Sequence, residues 1–202
     1  MRPHRPALDL TACLEEILVD LCRTLPEFAH IDPARLLVCL AKARTRGPGG
    51  VYAKIIPQRF ADGSPFKTVK GHRYALPQIP TPRGDVLYLI YVYTPRFFEQ
   101  PFERRVLTLI HELYHIAPAF DGTLRRIGQR AHGASREQFN DNLQPLVERY
   151  LVAAPVSDAM TVLRESLQEL SRRATLVGRT LPVPKAVRLP DSTKPQEKTS
   201  CL

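Results

Sequence analysis

The stretch Asp85 to Thr94 reads DVLYLIYVYT, and it constrains the fold more than any other segment of the chain. Val86 to Tyr93 is an unbroken run of eight aliphatic or aromatic residues. A strand built from it is apolar on both faces, so it belongs inside a sheet with a covering layer on each side. The run is far short of the roughly 18 residues needed to cross a membrane. Directly after it, Phe102, Val106, Leu109, Ile110, Leu113 and Ile116 recur at helical spacing. They predict a helix from Pro101, at a first-turn position, to Ala117, where Pro118 stops it.

The remainder supplies more helices and a few strands. Leu8 to Leu25 has helical periodicity, with Asp9 and Thr11 as caps and Pro26 as its end. Arg35 to Arg44 reads as a strand, and Val51 to Ile56, across the Gly47-Pro48-Gly49-Gly50 loop, as its hairpin partner. His72 to Ile79 is a weak extended segment. Two more helices are expected, Ser135 to Ala153 and Ser157 to Leu176. A helix, three or four strands and then helices make an α+β domain.

Residues 178–202 contain four prolines and five basic residues against two acidic ones, with almost no periodic apolar content. Such a stretch cannot bury enough surface to offset the entropy of ordering, so it is expected to be a disordered tail behind a domain spanning 1–177. Its surplus of three, taken from the net charge of +9, leaves about +6 on the domain. That surplus points to weak attraction for nucleic acid through a basic surface. Without a secretory signal or a membrane-spanning run, the expected address is the cytoplasm. Cys13, Cys22, Cys39 and Cys201 form no C-x-x-C pair, and the first three read as buried thiols.

The predicted helix carries the chemistry. His111-Glu112-Leu113-Tyr114-His115 is an H-E-x-x-H motif. With six His and 11 Glu in 202 residues, an accidental match is about a one-per-cent event, so the motif calls for an explanation. Residues four apart share a helix face, which lets His111 and His115 aim two imidazoles at one ion. Glu112, rotated by about 100°, stands beside that ion, where a carboxylate takes a proton from an attacking water. A catalytic Zn2+ takes three protein ligands and keeps one open position. His132, the one histidine after the helix, is the expected third ligand; Asp121 and Glu137 are the alternatives. Asp121 also reads as a carboxylate that orients a ligand imidazole, or as the turn residue of Asp121-Gly122. An arginine among Arg125, Arg126, Arg130 and Arg136, or Tyr114, is a candidate donor to a developing oxyanion.

The run from Val106 to Ile116, followed by Phe120-Asp121-Gly122-Thr123-Leu124-Arg125, resembles the phage metallopeptidases, small zincin-like proteins of phages and prophages. His30-Ile31-Asp32-Pro33-Ala34-Arg35, Tyr52-Ala53-Lys54-Ile55 and Tyr88-Leu89-Ile90 extend the resemblance over residues 25–150. His132-Gly133 followed by Phe139 is similar to the H-G-x-x-F element of SprT-like proteases, with a longer spacing to the Phe. The resemblance implies a zinc-dependent peptidase with a compact zincin-like fold. Its small mixed or antiparallel sheet packs on the active-site helix, and further helices lie C-terminal to it. Two other readings stand beside it: a zinc-dependent hydrolase of nucleic acid, and a DNA-associated non-enzymatic zinc protein. Against the last, no cysteine between residues 40 and 200 offers to close a structural site.

Overall fold

A computed structural model of the chain describes residues 5–43, 50–125, 136–154 and 156–190. In chain order the elements begin with strand β1 (Ala7–Asp9), helix α1 (Leu10–Thr24), β2 (Leu36–Lys42) and β3 (Ala53–Pro57). A hairpin follows, β4 (Phe66–Val69) and β5 (His72–Ala75), then the two-residue β6 (Pro80–Thr81) and β7 (Gly84–Asp85), and β8 (Tyr88–Thr94). The second half holds α2 (Phe102–Tyr114), α3 (Arg136–Ala153), α4 (Asp158–Arg164), α5 (Leu167–Arg173), β9 (Thr175–Val177) and β10 (Val187–Arg188). The fold is mixed α+β, and among the described residues no helix is long and apolar enough to cross a membrane.

Local signals explain most boundaries. The Asp9 carboxylate accepts from the backbone N–H of Thr11 and Ala12 and starts α1, while the Thr11 hydroxyl donates to Asp9 instead of capping in its own right. Asp32 opens a short 3₁₀ turn at Pro33–Arg35 in the same way. The helix expected from Ser157 to Leu176 is two helices and a strand. Ser157 caps α4 as its position suggests. The chain then breaks at Glu165, and Ser166 with Glu169 forms a reciprocal capping box that starts α5. Helix α2 ends at His115, earlier than Pro118 would require.

The central sheet has the order β2-β8-β3, with β2 parallel and β3 antiparallel to β8. Hence β2 and β3 are not hairpin partners, contrary to their proximity in sequence. The reason lies in β8 itself, whose two apolar faces place it between them. Its Tyr88, Ile90 and Val92 side chains enter the main core with α1, α2, α3 and α4, all at 0% exposure. Leu89 and Tyr91 point the other way, into a smaller cluster with Cys39 and Val86.

That second face explains residues 178–190, which do not form a disordered tail. Leu181 and Ile79 pack over the Cys39–Leu89–Tyr91 cluster. Arg179 lies along the outer edge of β2: its carbonyl accepts from Leu40 N at 2.8 Å, and its guanidinium donates to the Val38 carbonyl at 2.9 Å and to Glu15. Val38 N donates to the same Glu15 carboxylate, so Val38 and Leu40 on this sheet edge find partners for their outward N–H groups. Further on, β10 pairs antiparallel with β5, and β9 pairs parallel with β1. Residues 191–202 lie outside the described residues, and so does Cys201. Cys22 and Cys39 are buried thiols and Cys13 is half-buried.

Candidate functional site

Helix α2 presents one polar stripe to an otherwise apolar interior. His111, Glu112 and His115 are 5%, 6% and 7% exposed, while Val106, Leu109, Ile110 and Leu113 anchor the helix at 0%. The four-residue spacing does what it predicts: the His111 and His115 ring centres stand 4.8 Å apart. His115 is itself the C-terminal cap of the helix.

Asn140, Phe139 and Ile55 hold these side chains. The oxygen Oδ1 of Asn140, on α3, lies 2.7 Å from His111 Nδ1. An amide oxygen can only accept, so in the neutral ring Nδ1 carries the proton and Nε2 is the nitrogen that holds the lone pair. Phe139, the neighbour of Asn140, stacks flat on His115 at 5.4 Å with 8° between the planes, and meets His111 edge-on at 4.9 Å. Glu112 Oε2 accepts from the backbone N–H of Ile55 in β3 at 2.8 Å, which ties the carboxylate to the sheet. Because Ile55 lies opposite Ile90, outside the hydrogen-bonded pairs, its N–H points away from β8 toward the helix.

A cavity of about 460 Å³ opens in front of His111, Glu112 and Asn140. Its remaining wall runs N-terminally along α2 through Thr108, Leu107 and Arg104, and across to Tyr52, Arg96 and Gln100. With Glu99 also in its lining, it combines two carboxylates, an imidazole, two amides and two guanidinium groups in a recess large enough for a few side chains.

The segment after α2 is held by its own turn. Ile116 and Leu124 form an antiparallel bridge, and the Tyr88 hydroxyl donates to the Thr123 carbonyl at 2.7 Å while accepting from Gly122 N at 3.1 Å. Burial pushes the Tyr88 phenol up to about 12, so it remains a neutral donor. Gly122 is at φ +85, and a Cβ there would lie 2.5 Å from Arg59 Cγ; the close approach explains the glycine.

The expected ligands fare differently. His111 and His115 come together. Asp121 is exposed, and its carboxylate is spent on the N–H and hydroxyl of Thr123, so it is the turn residue. That hydroxyl donor is also the main reason its carboxyl is held below the ordinary value. Glu137 is exposed in the first turn of α3. His132 lies outside the described residues, as do Arg126 and Arg130. Among the described residues alone, no three His, Cys, Asp or Glu side chains gather as a metal site requires. Of the candidate oxyanion donors, Arg125 is engaged elsewhere: its Nε donates to the Tyr114 carbonyl at 2.9 Å and its guanidinium lies 4.4 Å over the Tyr114 ring. It therefore caps the helix C-terminus. Asn140, Ile55 and the Arg96–Arg104 wall carry no sequence signal, because nothing in their local pattern says which helix or cavity they meet.

Comparison of the chain with protein-family models, with curated proteins and with solved structures finds no match. The resemblance to phage metallopeptidases thus rests on the residues quoted above.

Proposed function

We propose that this protein is a zinc-dependent peptidase of zincin-like architecture, with Glu112 as general base and His111, His115 and His132 as metal ligands. One observation carries the reading. On a single helix, two imidazoles stand 4.8 Å apart, one with its Nδ1 committed to Asn140, and a carboxylate stands beside them at the mouth of a cavity. Neutral imidazoles presenting Nε2 and oriented by a neighbouring amide suit zinc. When bound, the ion supplies Lewis acidity toward a carbonyl oxygen and acidifies water. The chain does the rest. Glu112, fixed by Ile55, accepts a proton from the attacking water and delivers it to the leaving amine nitrogen. The sheet ends at β3 on this side, and an extended peptide adds to such an edge by backbone hydrogen bonds. Arg96 and Arg104 line the path beyond.

The test pairs metal analysis with peptide cleavage. The purified chain should hold about one zinc, lost in His111→Ala/His115→Ala and in His132→Ala but kept in Asp121→Ala and Glu137→Ala. Glu112→Gln retains an oxygen for the Ile55 N–H yet cannot take a proton. It should keep its zinc and its melting temperature while losing at least roughly 10² in turnover. Equal cleavage by Glu112→Gln and wild type would end the catalytic reading, and a chain that takes up no zinc would end the metal reading.

A further inference from the structure

We propose that Arg104 selects the substrate by pairing with a carboxylate three or four residues from the scissile bond of an extended peptide. The inference rests on the peptidase reading above and names the substrate class that this site takes. Arg104 sits on α2 four residues before Thr108, seven before His111 and eight before Glu112, and all four line one cavity. Such steps return to the same helix face, so the guanidinium stands on the stripe that carries the imidazole and the carboxylate. Eight residues of α-helix rise about 12 Å. An extended peptide covers that distance in three or four residues, at about 3.3 Å each.

The neighbouring polar groups of this wall are already engaged. The Thr108 hydroxyl lies 2.8 Å from the Arg104 carbonyl and 3.2 Å from Gln100 Oε1, and Gln100 Nε2 donates to the Phe97 carbonyl at 3.3 Å. Arg96, at 5% exposure, is held within the wall. Its Nη1 donates to the Val51 carbonyl at 3.4 Å, and a Cβ on Gly50 would collide with that nitrogen. Arg104 is placed differently. Its side chain is exposed, and among the described residues it forms no ion pair, not even with Glu99 of the same wall.

Charge decides which ligand the recess favours. The guanidinium groups of Arg96 and Arg104 offset the carboxylates of Glu99 and Glu112, so the recess by itself is near neutral. A bound Zn2+ adds two positive charges, and an anionic group is then the one attracted. A carboxylate meets a guanidinium through two parallel N–H···O bonds, a geometry that neither an amide nor an ammonium on the substrate reproduces. An Asp or Glu side chain and a free C-terminus both supply that carboxylate.

The experiment begins with a random peptide library cleaved by the zinc-loaded wild-type chain and read by mass spectrometry. Asp and Glu should be enriched at least about fivefold three or four positions from the cleaved bond. A fluorescein-labelled peptide of the preferred sequence, capped at both ends, then reports binding to Glu112→Gln by anisotropy, with cleavage suppressed. Glu at the selected position should bind about tenfold tighter than Gln. Adding Arg104→Gln should make the two peptides equal, Arg104→Lys should restore part of the difference, and Arg104→Glu should favour Lys. Arg23→Gln, which removes an exposed arginine of α1, should keep the full difference. Peptides that end at the selected position with a free carboxyl or an amide tell a terminal carboxylate from a side chain. The proposal is overturned if cleavage shows no acidic enrichment, or if the preference survives Arg104→Gln. Cleavage without that enrichment leaves the peptidase reading standing, whereas a chain that cuts no library member ends that reading and the selection by Arg104 with it.

Discussion

Helix α2 buries two kinds of polar group less than two turns apart, and they are used in opposite ways. Arg105 is 5% exposed, as His111 is. Its guanidinium donates to four backbone carbonyls: Gln100 at 2.9 Å, Leu163 and Glu165 at 2.6 Å each, and Phe98 at 2.5 Å. Those carbonyls belong to the turn before α2 and the end of α4, so one side chain ties three segments together. Burial lowers its pKa from the ordinary value, yet a guanidinium stays charged at any working pH. His111, Glu112 and His115 instead meet one amide, one backbone N–H and a stacked ring, and two of them line a cavity. Burial alone therefore marks neither structure nor chemistry. The destination of each polar atom does.

This contrast can be broken by substitution, and the largest effect is expected at Arg105. Arg105→Met keeps the aliphatic stem but strands buried carbonyls, at a cost of about 3 kcal/mol or more. Urea unfolding measures it, and zinc content in the folded fraction should not change. A loss under 1 kcal/mol would remove Arg105 from its structural role. Glu112→Gln is the mirror image, with stability kept and turnover lost.

The next effect sharpens the site itself. Asn140→Ala should weaken zinc binding about 10- to 100-fold, as the loss of a partner that orients a ligand imidazole does. Asn140→Asp restores an acceptor for the His111 Nδ1–H and should recover most of the affinity. Competition with a chromophoric chelator reads both variants; identical affinities for Ala and wild type would show that Asn140 does not orient the ring.

The smallest effect lies far from the site, at the α1 cap. Asp9→Ala should cost about 1 kcal/mol at neutral pH. The Thr11 hydroxyl, ahead of the backbone donors, holds the Asp9 carboxyl below its ordinary value of 3.8. A depressed carboxyl contributes its stability above that ordinary value and loses it as pH falls through the folded one. Thermal melts of Asp9→Ala and wild type should therefore converge below about pH 4. A gap that stays constant down to pH 2 would assign the effect to packing instead.

Much of this was readable in the chain, for reasons tied to particular residues. The Asp9, Ser157 and Ser166 caps act on N–H groups two or three positions away, so local sequence contains both partners. The spacing of His111 and His115 fixes their common face by helix geometry alone. The helix break at Glu165 is also local, since Ser166 and Glu169 write a capping box into a stretch whose apolar periodicity continues across it. Residues 178–190 differ from the expected disordered tail for the opposite reason. They have no pattern of their own, and their order comes from the bare second face of β8 and the open edge of β2.

The sequence by itself determined that β8 is internal, that α2 carries two imidazoles and a carboxylate on one stripe, and that the domain is α+β. Only the tertiary structure decided that β8 separates β2 from β3, that Glu112 meets Ile55 across 57 residues, and that His111 meets Asn140 across 29. Periodicity records which face of an element is buried, because that depends on backbone geometry within one turn or one pleat. It does not record what the face is buried against, which is settled by the packing of segments far apart in the chain.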